Sequence, residues 1–294
     1  MLLCTPSDTA ADTIALRLGK KMKPGQLLRL NSSKRTFAEV PEELILFCHI
    51  AEDRDGASSF GMPPWDQLMA ARVVVTATYD VPILLRSRCS NVDLQRLQQV
   101  LYRGLRAHGA DKEAMLHWTH LLVDEAGQGT EAEMTAAIAC VLPLATSMAQ
   151  PVLCLCGDAA QLGPRITSHD ARSQGLDWSL FERLLHRKVY ADALRLVRQD
   201  QRRSTEARNG SSTGSGAAAR QLVCGLRRNY RAAHPALLSV PSALFYNDAL
   251  LPCAPPKKDL EAWIGLPNPK IPILFECVDS PEVWVDEGVS WHSE

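Results

Sequence analysis

The sequence predicts an α/β protein built on a parallel, doubly wound sheet. Short apolar runs of strand length alternate with helical patterns from the first residue to about 186, the order produced by repeated strand–helix–strand units. The runs around Leu2–Cys4, Val73–Val75, Leu121–Val123 and Val152–Cys156 are apolar without a break, as strands covered on both faces are. Three of them end in polar groups, Thr5-Pro6-Ser7-Asp8, Thr76-Ala77-Thr78 and Asp124-Glu125. Open α/β sheets bind ligands at that carboxyl edge.

Each element follows from local pattern. Leu2 to Cys4 form a strand, Ser7 and Asp8 are candidate N-caps, and Ala11, Ile14, Ala15 and Leu18 repeat at helical spacing before Gly19, a plausible C-cap. Leu44 to Phe47 suit a short strand or helix, and Asp53 to Pro64 read as a loop. Ala71 to Thr78 form the second buried strand. Asp93 to Leu105 are an amphipathic helix with Leu94, Leu97, Leu101 and Leu105 on one face. After the Asp124-Glu125 strand, Glu131 to Leu142 form a helix with acids in its first turn, where the dipole favours them. Pro151 to Cys156 give a fourth strand. A polar, Gly/Ser-rich stretch over 196–220 reads as a linker or insertion. The expected domains are therefore 1–195 and 221–294. In the second, an apolar helix from Ala236 to Phe245 is interrupted by Pro241, and a strand is expected near Ile271 to Phe275.

Composition bounds the function. The chain has 294 residues, 46% hydrophobic and 22% charged, with a formal net charge of −1. That balance excludes a global electrostatic attraction to nucleic acid, so any such surface is local. The nine cysteines are scattered. Cys154 and Cys156, the only close pair, are better explained by core packing than by zinc, and the usage suits a reducing, intracellular setting. No apolar run reaches the length of a membrane span. Met1-Leu2-Leu3-Cys4 is too short for a signal peptide. A strand starting at the first residue raises the expectation that the natural chain extends upstream.

The chemistry-bearing residues are few. Asp124 and Glu125 at a strand end can hold a hydrated Mg²⁺ and orient or deprotonate a water; the plainer alternative is an exposed acidic turn. Gly157-Asp158 with Gln161 offers a tight turn and an amide that both donates and accepts. Tyr230 beside Arg227, Arg228 and Arg231 suits a base and its phosphates, or a basic turn solvating a domain boundary.

Four of these segments stand in a familiar order. Thr5-Pro6-Ser7-Asp8-Thr9-Ala10-Ala11-Asp12 is similar to motif Ia of superfamily 1 helicases, Asp124-Glu125-Ala126-Gly127-Gln128 to motif II, Gly157-Asp158-Ala159-Ala160-Gln161-Leu162-Gly163-Pro164 to motif III, and Asn229-Tyr230-Arg231-Ala232-Ala233-His234-Pro235 to motif IV. Gly175 to Leu184 resemble the stretch that follows motif III. Within the superfamily the chain most resembles the Armitage-type RNA helicases of small-RNA silencing, cousins of the nonsense-mediated-decay helicase. The resemblance implies an incomplete first RecA-like domain followed by the start of a second, with ATP bound between such domains. It implies Asp124 as the Mg²⁺ ligand through water, Glu125 as base or orienter of the attacking water, Gln161 at the γ-phosphate, Arg231 reaching the nucleotide from the second domain, and Tyr230 near the adenine. It places Thr5, Ser7, Thr76 and Thr78 on the nucleic-acid-binding surface. The implied cofactors are ATP and Mg²⁺. The implied partners are RNA of low sequence specificity and RNA-silencing or RNA-decay proteins, in the cytoplasm or RNA granules and with no membrane.

The departures bear on activity. No G-x-x-x-x-G-K-[ST] loop, which cradles phosphates, occurs in the 294 residues. In the family it precedes motif Ia, and motifs V and VI follow the point where this sequence stops. Asp8 stands where the motif has Asn, adding a negative charge where phosphates approach. Ala232 and Ala233 stand where motif IV has a single Ser. In the family's sheets the phosphate-loop strand lies beside the motif III strand, so the strand at 151–156 is expected to have a bare apolar edge. The expectation is part of an ATP-dependent RNA helicase core, inactive as this isolated chain. The alternative is a non-catalytic RNA-binding or scaffold protein derived from a helicase.

Overall fold

The computed structural model describes residues 1–52, 56–104, 115–145, 148–195, 222–255, 263–277, 282–285 and 290–293. Leu105 and the 196–220 stretch lie outside these. The chain divides into two compact units, Met1–Arg187 and Lys188–Glu294.

The first unit is the predicted α/β fold. Strands β1 (Leu2–Thr5), β2 (Leu27–Arg29), β3 (Ile50–Glu52), β4 (Ser58–Phe60), β5 (Val73–Ala77), β6 (His120–Val123) and β7 (Val152–Leu155) are interleaved with helices α1 (Asp8–Gly19), α2 (Glu42–Ile45), α3 (Trp65–Ala70), α4 (Pro82–Arg86), α5 (Asn91–Gly104), α6 (Glu131–Val141), α7 (His169–Ser173) and α8 (Leu180–Leu185). Five strands form one sheet in the order β2-β5-β1-β6-β7, and every pairing in it is parallel. The antiparallel β3–β4 pair stands apart. It corrects the expected loop after Asp53, because Ser58–Phe60 pairs back onto Ile50–Glu52.

Two apolar layers explain the unbroken strands. Leu2, Cys4, Val74, Leu121 and Val123 point to one side, where Trp118, Met134, Ala137, Cys140 and Leu84 join them. Leu27 and Val75 point to the other, with Ala11, Ala15, Leu44 and Phe60. Successive strand residues alternate faces. A strand buried on both sides therefore needs apolar residues at every position.

Local chemistry sets the helix ends. The Ser7 hydroxyl accepts from the Ala10 amide at 3.3 Å to cap α1, and Thr130 and Glu133 form a capping box on α6. Gly19 is not the C-cap expected of it: Lys20 takes that place in a right-handed conformation. A Cβ on Gly19 would lie 3.0 Å from the Phe47 ring, so a larger residue there requires that ring to shift. The buried Asn91 side chain fixes the approach to β6. It donates to the carbonyls of Trp118 at 2.9 Å and Val141 at 2.5 Å, and accepts from the amides of His117 and Trp118. Only part of the face expected on α5 is buried: Leu94 is, whereas Leu97 and Leu101 are about half exposed.

The second unit holds a short parallel pair, Arg228–Asn229 with Leu251–Pro252, and a helix, Ala236–Phe245, that runs through Pro241. An antiparallel pair, Glu282–Val285 with Ser290–Ser293, replaces the strand expected near Ile271 to Phe275, a stretch that is not strand. No described helix is long and apolar enough to cross a membrane.

In the sheet order β7 lies at an edge, and Val152 and Leu153 are about half exposed. Unpaired backbone beside apolar side chains templates self-association. A lysine at the edge, Leu153→Lys, is expected to lower the aggregated fraction relative to the parent chain in sedimentation velocity. Equal or greater aggregation in the variant would remove the edge as the cause.

Candidate active site

The acid pair stands where the sheet reverses its order. The connection from β1 through α1 leads to β2 on one side of β1, and the connection from β6 through α6 leads to β7 on the other. Such a switch point opens a crevice at the strands' carboxyl ends. The Asp124 amide donates to the Cys4 carbonyl at 2.9 Å, which ties the start of the acid turn to the end of β1.

Glu125 takes a left-handed backbone, φ 52°, a conformation that stores about 1–3 kcal/mol in a non-glycine residue. Its amide donates to Asp124 Oδ1 at 3.1 Å, and Gln128 Nε2 donates to its Oε2 at 3.2 Å. The Gln128 amide closes the turn onto the Glu125 carbonyl at 2.9 Å. Asp124 is exposed and Glu125 partly so, so both carboxylates are open to water and to a hydrated cation. Gln128 is a partner that residue type and spacing did not single out.

The turn after β7 is held against this one. The Ala126 amide donates to the Cys156 carbonyl and the Cys156 amide to the Val123 carbonyl, both at 2.8 Å. A Cβ on Gly157 would lie 3.0 Å from the Gly127 nitrogen, and one on Gly127 would lie 3.3 Å from the Asp158 carbonyl oxygen. The two glycines let the backbones approach, which answers the residue-type argument for Gly157. Asp158 then organises the loop: it accepts from the Ala160 amide at 3.0 Å and from Gln161 Nε2 at 2.8 Å. Gln161 is exposed at this edge, and its amide has to leave Asp158 before it can face a phosphate.

Cys154 is partly buried and Cys156 exposed, with sulfurs 3.8 Å apart. That corrects the reading of this pair as core packing: β7 is an edge strand, and this stretch of it is only partly covered. Burial, the neighbouring thiol and Asp124 push Cys156 up to about 11.

Thr5, Thr76 and Thr78 are fully buried, and Ser7 is partly exposed at the start of α1. Thr5 donates to the Ser7 carbonyl at 2.7 Å. The Thr76 and Thr78 hydroxyls have no partner among the described residues.

Asp8 does not present a bare charge. Arg29, completely buried, donates to Asp8 at 2.7 Å and to Asp12 at 2.8 Å. Arg35 donates to Asp12 at 2.5 Å and stands 3.6 Å from Asp8. The Tyr79 hydroxyl donates to the other Asp8 oxygen at 2.6 Å. Burial alone would raise the Asp12 carboxyl, but Arg35 and Arg29 overcome it and hold the group below its ordinary value. Burial and the Asp8 charge raise Asp80, against the Ser32 amide that donates to it. No residue pattern announces this network, because its arginines come from β2 and the loop after it.

In the second unit the Asn229 side chain accepts from the amides of Arg231 at 2.9 Å and Ala232 at 2.8 Å. Tyr230 and Arg231 are exposed on that turn. His234 Nδ1 accepts from the Ala236 amide at 3.1 Å at the start of the following helix.

A parallel five-stranded sheet with an acid pair at its switch point and a Gly-Asp-x-x-Gln turn beside it defines a RecA-like α/β domain of the helicase kind. No family model matches the chain. Over its full length it is similar to the RNA helicase Mov10l1 of Mus musculus, with 32% identity across 299 residues, 100% of this chain and 20% of that protein. It is 29% identical over 265 residues to the probable RNA helicase armi of Drosophila melanogaster, covering 89% of this chain and 19% of that one. It is 25% identical over 288 residues to Regulator of nonsense transcripts 1 of Dictyostelium discoideum, covering 96% and 18%. The chain is therefore a homologue of superfamily 1 RNA helicases of the nonsense-mediated-decay and Armitage kind, and it spans about a fifth of the length of these relatives.

Replacing Arg29 by Met takes a buried guanidinium from Asp12, which keeps Arg35, and from the partly exposed Asp8, which keeps the Tyr79 hydroxyl. Arg29→Met is therefore expected to cost at most about 3–5 kcal/mol in urea unfolding; a loss below about 1 kcal/mol would show that the remaining partners suffice. Asp80 has its folded pKa raised, so the penalty for its charge is full at neutral pH and fades as pH falls through the carboxylate range. Asp80→Asn is therefore expected to be neutral or stabilising at pH 7, with the difference closing towards pH 4. A variant clearly less stable at pH 7 would reverse that sign. Asp12 runs the other way, its contribution being present above the ordinary carboxylate pKa and lost in acid.

Proposed function

We propose that this chain is part of an ATP-dependent RNA helicase core, carrying the water- and metal-handling half of a nucleotide-hydrolysis site. The observation that supports this best is the backbone junction joining the Asp124-Glu125 turn to the Gln161 loop. It holds the turn that carries the two carboxylates against the turn that leads to the Gln161 amide, which supports reading them as one site.

The donor set fits Mg²⁺: exposed carboxylate oxygens are the hard ligands such an ion takes alongside retained waters. Asp124 would hold the ion through water, and the bound ion would supply charge neutralisation for the transferring phosphoryl group. Glu125, its carboxylate steadied by Gln128, would orient or deprotonate the attacking water. Gln161 would give up its contact to Asp158 for the γ-phosphate. Arg231 would offer a guanidinium to developing charge and Tyr230 a ring near the adenine. RNA is proposed as the ligand of the strand-end edge where Ser7 is partly exposed; Thr5, Thr76 and Thr78, expected from the sequence on that surface, are fully buried and would back the edge without touching RNA. RNA-silencing or RNA-decay proteins are the proposed partners, and a cytoplasmic or RNA-granule location goes with them.

Nothing in the 294 residues supplies the G-x-x-x-x-G-K-[ST] backbone that cradles phosphates. The isolated chain is therefore expected to release phosphate from ATP at the buffer rate, with or without single-stranded RNA. RNA-stimulated hydrolysis abolished by Glu125→Gln would overturn the inactivity. RNA affinity that is independent of ATP and survives Glu125→Gln, measured by fluorescence anisotropy, would favour the scaffold reading. Absence of any RNA affinity would count against RNA as the ligand.

A further inference from the structure

Cys154 and Cys156 take no part in the proposed hydrolysis. Cys154 lies in β7 and Cys156 is the first residue after it, still tied to the sheet by its amide to the Val123 carbonyl at 2.8 Å, so the alternation of the strand carries both side chains to one side. Their sulfurs are 3.8 Å apart. Two sulfurs bound at about 2.3 Å to one tetrahedral ion stand about 3.8 Å from each other. The pair already has the bite of a bidentate metal ligand. A disulfide fits the strand less well. It needs sulfurs about 2.05 Å apart and Cα atoms no more than about 6.8 Å apart, and residues two apart on an extended strand reach about that limit.

We propose that Cys154 and Cys156 form a bidentate dithiol site for a soft, thiophilic metal ion of the Cu(I) or Zn(II) class. Thiolates select such ions over Mg²⁺, so the site does not compete with Asp124 for the hard cation. No group of three or more His, Cys, Asp or Glu side chains converges among the described residues. The described residues thus supply two ligands, and water or a small thiol completes the shell. On binding, each S–H bond breaks, its proton passes to water, and each sulfur bonds the ion; no electron is transferred. Cys156 also carries the backbone bridge to Val123 and Ala126, so the ion would be bound by the residue that joins the two turns.

The reduced full chain is titrated anaerobically with Cu(I) against a chromophoric Cu(I) chelator, and separately with Zn(II) against a zinc dye. One equivalent is expected to bind in at least one arm, and the double variant Cys154→Ser/Cys156→Ser is expected to bind at least tenfold more weakly. Cys224→Ser/Cys253→Ser, which removes two exposed thiols of the second unit, is expected to bind as the parent does. The parent is also alkylated with and without metal and mapped by mass spectrometry, which removes any dependence on how the variants fold. Protection of Cys154 and Cys156 together supports the site. Unchanged affinity in the double variant, protection of other cysteines instead, or no binding in either arm overturns it.

Discussion

The junction between two backbone turns is the constraint on which the rest of this structure depends. The Ala126 amide bonds the Cys156 carbonyl while Gly127 and Gly157 remove the side chains that would hold the strands' ends apart. Everything upstream serves to deliver those turns. Asn91 fixes where β6 begins, the two apolar layers clamp the sheet, and β6 is paired on both sides by β1 and β7. The left-handed Glu125 is tolerated because its neighbours on either side are already pinned.

Strand positions and their polar ends were legible because a two-sided parallel sheet imposes its requirement at every residue. Leu2–Cys4, Val73–Val75 and Leu121–Val123 could hardly be anything else. The acid pair and the Gly-Asp-x-x-Gln turn were legible because the groups involved are contiguous in sequence. What could not be read depends on contacts between distant segments. Asp8 looked like an uncompensated charge because Arg29 and Arg35, which pair with it, arrive from β2 and the loop that follows. Gly19 carried a C-cap signal, yet Lys20 takes the cap, and what Gly19 meets is the Phe47 ring, supplied from beyond β2. The pair Cys154 and Cys156 looked like core because it lies in an apolar run, but the sheet places that run at an edge.

The same distinction separates the threonines from the acids. Asp124 and Glu125 stand beyond the last sheet pairing, open to solvent. Thr76 and Thr78 belong to strand β5 and the turn just after it, and their hydroxyls are enclosed without a partner among the described residues. A buried hydroxyl left in that condition costs about 1–3 kcal/mol, so packing alone does not favour threonine at either position.

The charge network around Arg29 also bears on how this sequence can change. Asp8 serves a buried guanidinium and the Tyr79 hydroxyl at once. An asparagine there would keep a hydrogen-bond acceptor but lose the charge facing Arg29. Asp8→Asn is therefore expected to weaken the contact to Arg29. Asp8 touches both Arg29 and Tyr79, so substitutions at the three positions are expected to be non-additive and tolerated as a set more readily than one by one.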